Sequence, residues 1–249
     1  MTDAELPKRI ELMGVAVTPF KSYSHAVSVL QQRIDSGSKT FIAAINPEKI
    51  YASHSDEDLR ELLNGADVLI CDGVGATIAA RWLEGTSIPR ITGVSLFMEL
   101  VRAASETGNS IYLLGGSPEA NSLAHDHLRR DHPNLQIAGR HHGYFEDSDD
   151  VVDAINESKP DILFVALGSP KQEYWIAEHR HRIAAPLCMG IGGTIDVVGG
   201  TVKWAPAIFR TTGTEWLYRL ISEPKRWKRQ LSLPKFVFLL IKYKLGLSK

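Results

Sequence analysis

The sequence predicts an α/β fold: a Rossmann-like, mainly parallel sheet flanked by helices, carrying a basic helical appendage at its C-terminal end. Three observations lead there. Short apolar runs alternate with helix-patterned stretches through residue 202, the rhythm of repeated βαβ units. Four of those runs end in Gly or Pro immediately before the next helical stretch, where a strand hands over to a helix N-terminus. Beyond residue 203 the alternation stops and basic and aromatic residues accumulate.

The first predicted strand, 40–45, reads Thr-Phe-Ile-Ala-Ala-Ile and runs into Asn46-Pro47-Glu48, which opens a helix over 48–64. Strand 67–71 ends at Cys71 and passes through Asp72-Gly73-Val74-Gly75 into a helix over 75–84, and a further helix spans 94–107. Strand 110–114 leads through Gly115-Gly116-Ser117-Pro118 to a helix over 118–131. Strand 135–138 precedes a helix over 147–158, and strand 161–167 leads through Gly168-Ser-Pro-Lys171-Gln172 to a helix over 170–183. A last strand, 187–191, meets Gly190-Ile-Gly192-Gly193-Thr194-Ile-Asp196. Residues 214–222 form a helical stretch, Pro224 restarts the chain, and Lys225-Arg-Trp-Lys-Arg229 precedes an apolar stretch from Leu231. The expected division is a core over 1–202 and an appendage over 203–249.

The 249 residues are 44% hydrophobic and 23% charged, a composition that excludes disordered, collagen-like and disulfide-scaffold chains. Cys71 and Cys188 sit in apolar runs, as buried thiols do in a reducing compartment. The N-terminus lacks an apolar signal region, and no run approaches the roughly 20 apolar residues of a spanning helix, so a cytoplasmic location is expected. The net charge of −1 conceals an asymmetry. Residues 203–249 carry 11 Lys and Arg against two acids, while the other 202 residues carry 17 against 27. An acidic body with a basic tail points to an anionic partner for the tail.

In parallel sheets ligands collect at the carboxyl ends of the strands, so the strand-end loops are where chemistry is sought. Asp72 ends a strand and is followed by glycines, which suits a general base reached by substrate and equally suits a cap on the next helix. The glycine loops at Gly115, Gly116 and Gly193 let backbone N–H groups approach a ligand, and Gly168-Ser-Pro-Lys-Gln172 adds a cation and an amide fit for a diphosphate or a base. Arg90 stands before a helix whose start can hold an anion. Gly73-Val74-Gly75 matches half of a dinucleotide fingerprint, which keeps a nucleotide-dependent oxidoreductase as an alternative. Asp56-Glu57-Asp58 and Asp147-Ser148-Asp149 have a metal-binding spacing but lie where helices begin, which is where the helix dipole favours acids. No zinc-hydrolase helix, Cys/His grouping, serine-hydrolase elbow or nucleic-acid-binding module appears.

The tail has two readings. Its apolar stretch 236–241, flanked by Lys235, Lys242 and Lys244, fits an interfacial segment on anionic lipid, with roughly 1 kcal/mol per basic residue. It also fits a helix docked on the body, or one buried between copies in a homo-oligomer. The charge excess favours lipid. On a continuing helix Arg219, Arg226 and Arg229 would share a face and could grip a diphosphate.

Taken in order, these motifs resemble the bacterial WecG/TagA/CpsF glycosyltransferases over about residues 10–235. The resemblance is carried by Asn46-Pro-Glu, Asp72-Gly-x-Gly, Arg90-x-Thr-Gly, Leu114-Gly-Gly, His142-Gly-Tyr-Phe and Gly168-Ser-Pro-Lys-Gln-Glu. It continues in Gly190-x-Gly-Gly-Thr-x-Asp196, Lys203-x-Ala-Pro206 and Glu215-Trp-Leu-Tyr-Arg219 through Arg226. It implies an inverting transferase that moves N-acetylmannosamine, its uronic acid or a related hexose from a UDP-sugar to a polyprenyl-diphosphate-linked acceptor. It implies work at the cell membrane; because the sequence carries no credible metal motif, no metal or other cofactor is expected. Carried over by position, Asp72 matches the base, Asn46, Arg90 and Gln172 match the active site, and Arg219, Arg226 and Arg229 match tail arginines that complete it. Many members carry a hydroxyl residue two before the Asn; Ala44 stands there in this chain. A UDP-sugar-binding scaffold without catalysis is the remaining alternative.

Overall fold

The computed structural model describes residues 5–222, 227 and 231–247. Six strands form one parallel sheet: β3 (Thr40–Ile45), β4 (Val68–Cys71), β5 (Ser110–Gly115), β6 (Gln136–His141), β7 (Ile162–Ala166) and β8 (Leu187–Gly190), in the order β4-β3-β8-β7-β5-β6. These are the six predicted strands, displaced by no more than a few residues. The chain leaves β3 toward one edge and later elements fill the other side, so the β3–β8 boundary is a switch point, the place where ligands settle in such sheets.

The helices cover both faces. One face takes α2 (Pro47–Ser55), α3 (Glu57–Gly65), α4 (Val74–Glu84), α7 (Ser148–Ser158) and α8 (Lys171–His179); the other takes α1 (Tyr23–Asp35), α5 (Gly93–Thr107), α6 (Pro118–Asp131) and α9 (Thr194–Val198). Continuous apolar strands buried on both sides make this two-layered covering obligatory, as β7 shows with Ile-Leu-Phe-Val-Ala wholly buried. Cys71 and Cys188 are free, buried thiols, and burial pushes each pKa up to about 12.

Two local features depart from the sequence expectation. The helix expected over 48–64 is two helices, because Asp56 is extended (φ −121°, ψ 99°) and its carboxylate accepts the Leu59 N–H at 3.0 Å, ending α2 and capping α3 at once. An N-terminal hairpin, β1 (Ile10–Leu12) with β2 (Val15–Val17), was too short to show a period; Asn64 ties it down, accepting from Ala16 N and donating to Gly14 O. Asp147 likewise caps α7 through the Asp149 N–H, so both acidic pairs of metal-binding spacing serve helix starts.

After residue 203 the chain forms α10 (Ala207–Thr211), α11 (Glu215–Ser222) and α12 (Ser232–Lys244). Helix α12 packs on α2 and α4, burying Phe236, Leu239 and Leu240, and Lys244 Nζ donates to Trp82 O at 2.8 Å. The same helix leaves Val237, Phe238 and Ile241 exposed. The apolar stretch of the tail thus has one face docked on the body and one face bare. Phe236→Ala should lower unfolding free energy by about 3 kcal/mol in urea titration, whereas Phe238→Ala, on the bare face, should change it by less than about 0.5 kcal/mol.

Candidate active site

A cavity of about 430 Å³ opens at the carboxyl ends of β3 and β4 and is closed on its far side by α11 and α12. Asn46, Asp72, Arg90 and Arg219 all line it, so four of the predicted site residues, spread over 174 positions of sequence, meet in one place. Each arrives for a local reason. Asn46 ends β3 and caps α2, its Oδ1 accepting the Lys49 N–H at 2.9 Å, with Pro47 pre-set at the first helical position. Asp72 follows β4, and its Oδ2 accepts the Gly93 N–H at 3.3 Å at the start of α5. Asp72 therefore does not cap α4, whose N-cap is Gly73 and has no side-chain cap bond.

Burial raises the Asp72 carboxyl above the ordinary aspartate value; the Gly93 N–H and the charges of Arg219, Arg90 and Lys49 oppose that rise. Arg90 is fixed by the C-terminal segment: its Nη2 donates to Arg210 O at 2.7 Å and reaches Glu215 Oε1 at 3.4 Å. Gly213 (φ +72°) lets that segment close down, since a Cβ there would stand 3.0 Å from Val74 Cβ. Glu215 itself is pushed up, chiefly by burial and further by Asp72, against the pull of Arg90 and Arg219. A carboxylate with a raised pKa, facing a cavity beside two arginines, can take a proton from a bound hydroxyl while the arginines hold an anion.

The glycines of Gly73-Val74-Gly75 have a packing role. A Cβ on either would come within 2.6 Å of the Pro47 ring, so they let α4 start against α2. Nothing in their geometry calls for a dinucleotide.

The other predicted site residues lie elsewhere along the same sheet edge. Gly115 and Gly116 have φ of 119° and 69°, and each is packed tightly: a Cβ on Gly115 would strike the Ala166 backbone and one on Gly116 would strike Ile195. Gly168 (φ 80°) and Gly192 (φ 55°) have open space where a Cβ would stand, at the ends of β7 and β8, and Gly193 is exposed beside them. Gln172 is buried rather than facing the cavity; its Oε1 accepts the Gly192 N–H at 2.9 Å and its Nε2 donates to Glu173 Oε1 at 3.1 Å. Arg226 and Arg229 lie outside the described residues. Sequence reasoning gave no role to Glu215, although its spacing of four from Arg219 puts both on one helix face, nor to Lys49.

Comparison with known proteins gives this geometry its family. The sequence model of the glycosyl transferase WecG/TagA/CpsF family matches residues 10–249. The chain is 34% identical over 216 residues to the N-acetylglucosaminyldiphosphoundecaprenol N-acetyl-beta-D-mannosaminyltransferase of Bacillus spizizenii, covering 87% of this chain and 84% of that one. The enzymes of the same name from Bacillus subtilis and Staphylococcus aureus are 35% and 36% identical, each over 84% of this chain and 82% of the relative. The protein is a glycosyltransferase. It belongs to the WecG/TagA/CpsF family.

The raised carboxyl carries a stability consequence. Because the folded pKa of Asp72 lies above its unfolded value, the native state binds more protons, and stability is lost as pH rises through the folded pKa. Asp72→Asn, which keeps an oxygen for the Gly93 N–H, should melt at a higher temperature than the wild type at pH 7, with the gain vanishing on acidification below the ordinary aspartate range. Scanning calorimetry across pH checks it.

Proposed function

We propose that the protein transfers N-acetylmannosamine, its uronic acid or a related hexose from a UDP-sugar to a polyprenyl-diphosphate-linked acceptor, with inversion, in cell-surface polysaccharide synthesis. The observation that carries this reading is the meeting of Asp72, Asn46, Arg90 and Arg219 around one cavity. The acceptor named for the relatives, a sugar on diphosphoundecaprenol, supports the acceptor class. A UDP-sugar donor fits the exposed glycine loops at Gly168 and Gly193 on the neighbouring strand ends.

In this reading Asp72 takes the proton of an acceptor hydroxyl as its oxygen attacks the anomeric carbon from the face opposite UDP. The bond from that carbon to the diphosphate oxygen breaks, its electron pair leaves with UDP, and the single displacement inverts the configuration. Developing charge on the diphosphate is met by Arg90 and Arg219, with Arg226 and Arg229 assigned the same task from their sequence positions. Asn46 orients a sugar hydroxyl or acetamido group from the β3 side. The charges on the leaving group are answered by guanidinium groups, so the reading assigns no cofactor.

The acceptor's lipid needs an apolar approach, and exposed apolar side chains stand on the three helices whose residues line the cavity. Ile78 and Trp82 on α4, Trp216, Leu217 and Ile221 on α11, and Val237, Phe238 and Ile241 on α12 are all exposed. Lys242 and Lys244 follow on the same helix. Among the described residues no helix is long and apolar enough to cross a membrane. We assign this face to the inner surface of the bacterial cell membrane, with the segment after residue 203 acting as the part that meets it.

Asp72→Asn should reduce turnover by about 10²- to 10⁴-fold with little change in the calorimetric affinity for UDP; parallel loss of both would make the residue structural. Phe238→Ser combined with Ile241→Ser should cut cosedimentation with phosphatidylglycerol vesicles severalfold at an unchanged melting temperature. Undiminished binding would move the membrane contact off α12.

A further inference from the structure

Behind the wall of the cavity runs a buried polar chain that the mechanism above does not use. Lys49 Nζ turns back beneath the end of β3, donating to Ala44 O at 2.6 Å and to Glu173 Oε1 at 2.6 Å, and the two side chains are only 13% and 1% exposed. Gln172 Nε2 bonds the same Glu173 oxygen, and Gln172 Oε1 accepts the Gly192 N–H. The space for that amide comes from Gly190, where a Cβ would lie 2.7 Å from Gln172 Nε2. Meanwhile the backbone N–H of Lys49 is the one that Asn46 caps. The chain therefore begins at Asn46 in the cavity wall and ends on the backbone N–H of Gly192, crossing from the exit of β3 to that of β8 by way of α2 and α8.

A buried ion pair adds little net stability over an apolar pair of the same shape, and it does fix geometry. Glu173 Oε2 is buried without a hydrogen-bond partner, so the pair is not even fully satisfied. We propose that Lys49 and Glu173 are positioning residues for the transfer. They hold the Asn46–Asp72 wall in register with the Gly192–Gly193 loop, so that the acceptor hydroxyl and the anomeric carbon meet at reacting distance. This rests on the assignment of acceptor to the Asp72 cavity and donor to the glycine loops. Neither residue lines the cavity; Glu173 acts through others, and Lys49 does so in addition to the pull of its charge on Asp72. Ala44 contributes only its carbonyl to the chain, so a small side chain there leaves the strut intact.

The test measures melting temperature, kcat and donor KM for Lys49→Met, Glu173→Gln and the double variant. The substrates are a UDP-sugar and a polyprenyl-diphosphate-linked N-acetylglucosamine. Transfer by the wild-type protein is measured first, so a failure of the functional reading shows there and a failure of this inference shows only in the variants. Each single variant strands a buried charge and should melt early. The double variant should recover most of the melting temperature yet keep a kcat lower by about ten- to a hundredfold, with donor KM within about twofold. Recovery of kcat together with stability would overturn the proposal and leave the pair structural. Should the double variant not fold, Lys49→Arg and Glu173→Asp keep both charges at altered reach. Lowered kcat at a held melting temperature is then expected, and wild-type kcat in both overturns the proposal.

Discussion

The rest of the site is arranged around a part-buried carboxylate on the cavity wall. Asp72 stands at the end of β4 where burial raises its pKa, and a buried charge is tolerable only with positive groups and hydrogen bonds around it. The fold delivers them from three directions: Arg90 from the loop before α5, Arg219 from α11, and Lys49 from beneath β3. The Gly93 N–H supplies the direct bond. Two of the three cations are anchored elsewhere, Arg90 on the Arg210 carbonyl and Glu215, Lys49 on Ala44 and Glu173, so they do not collapse onto Asp72 and quench it. That leaves a carboxylate of raised basicity beside a cavity.

The C-terminal segment does two jobs with one stretch of sequence. Phe236, Leu239 and Leu240 are buried against the body, while Val237, Phe238 and Ile241 are exposed, and Val237 also lines the cavity. The alternation follows from helical geometry, since residues three and four apart share a face and their neighbours point away. Helix α11 then brings Glu215 and Arg219 to the cavity, Glu215 tying the segment to Arg90. In the proposed function, the C-terminal segment would thus couple binding of the lipid-linked substrate to completion of the charged site, which is the physical basis for assigning that segment to the membrane.

Much of this was legible in the sequence. Five of the six parallel strands announced themselves as apolar runs, because strands buried on both faces cannot alternate; β6, at the sheet edge, is polar and has no buried residue. Asp72 and Asn46 stood out at strand ends, Arg90 before a helix start, and Arg219 by the face it would share with the other tail arginines. The break at Asp56 was foreshadowed by an acidic first turn that a continuous apolar pattern masked. What was hidden depends on three-dimensional partners. Gln172 looked like a ligand residue by its position in a strand-end loop, yet its amide is spent on Gly192 and Glu173. The Lys49–Glu173 pair joins residues 124 positions apart and has no periodic signature. The tail's charge excess suggested lipid, and charge alone could not show that half of the apolar stretch was needed to cover α2 and α4.

The most direct test of the central claim is the pH dependence of kcat/KM for sugar transfer onto the lipid-linked acceptor. If buried Asp72 is the base, activity falls on the acid side with a midpoint clearly above the ordinary aspartate value of 3.8. A midpoint at that ordinary value, or a rate that stays flat down to it, would show that Asp72 is not the base.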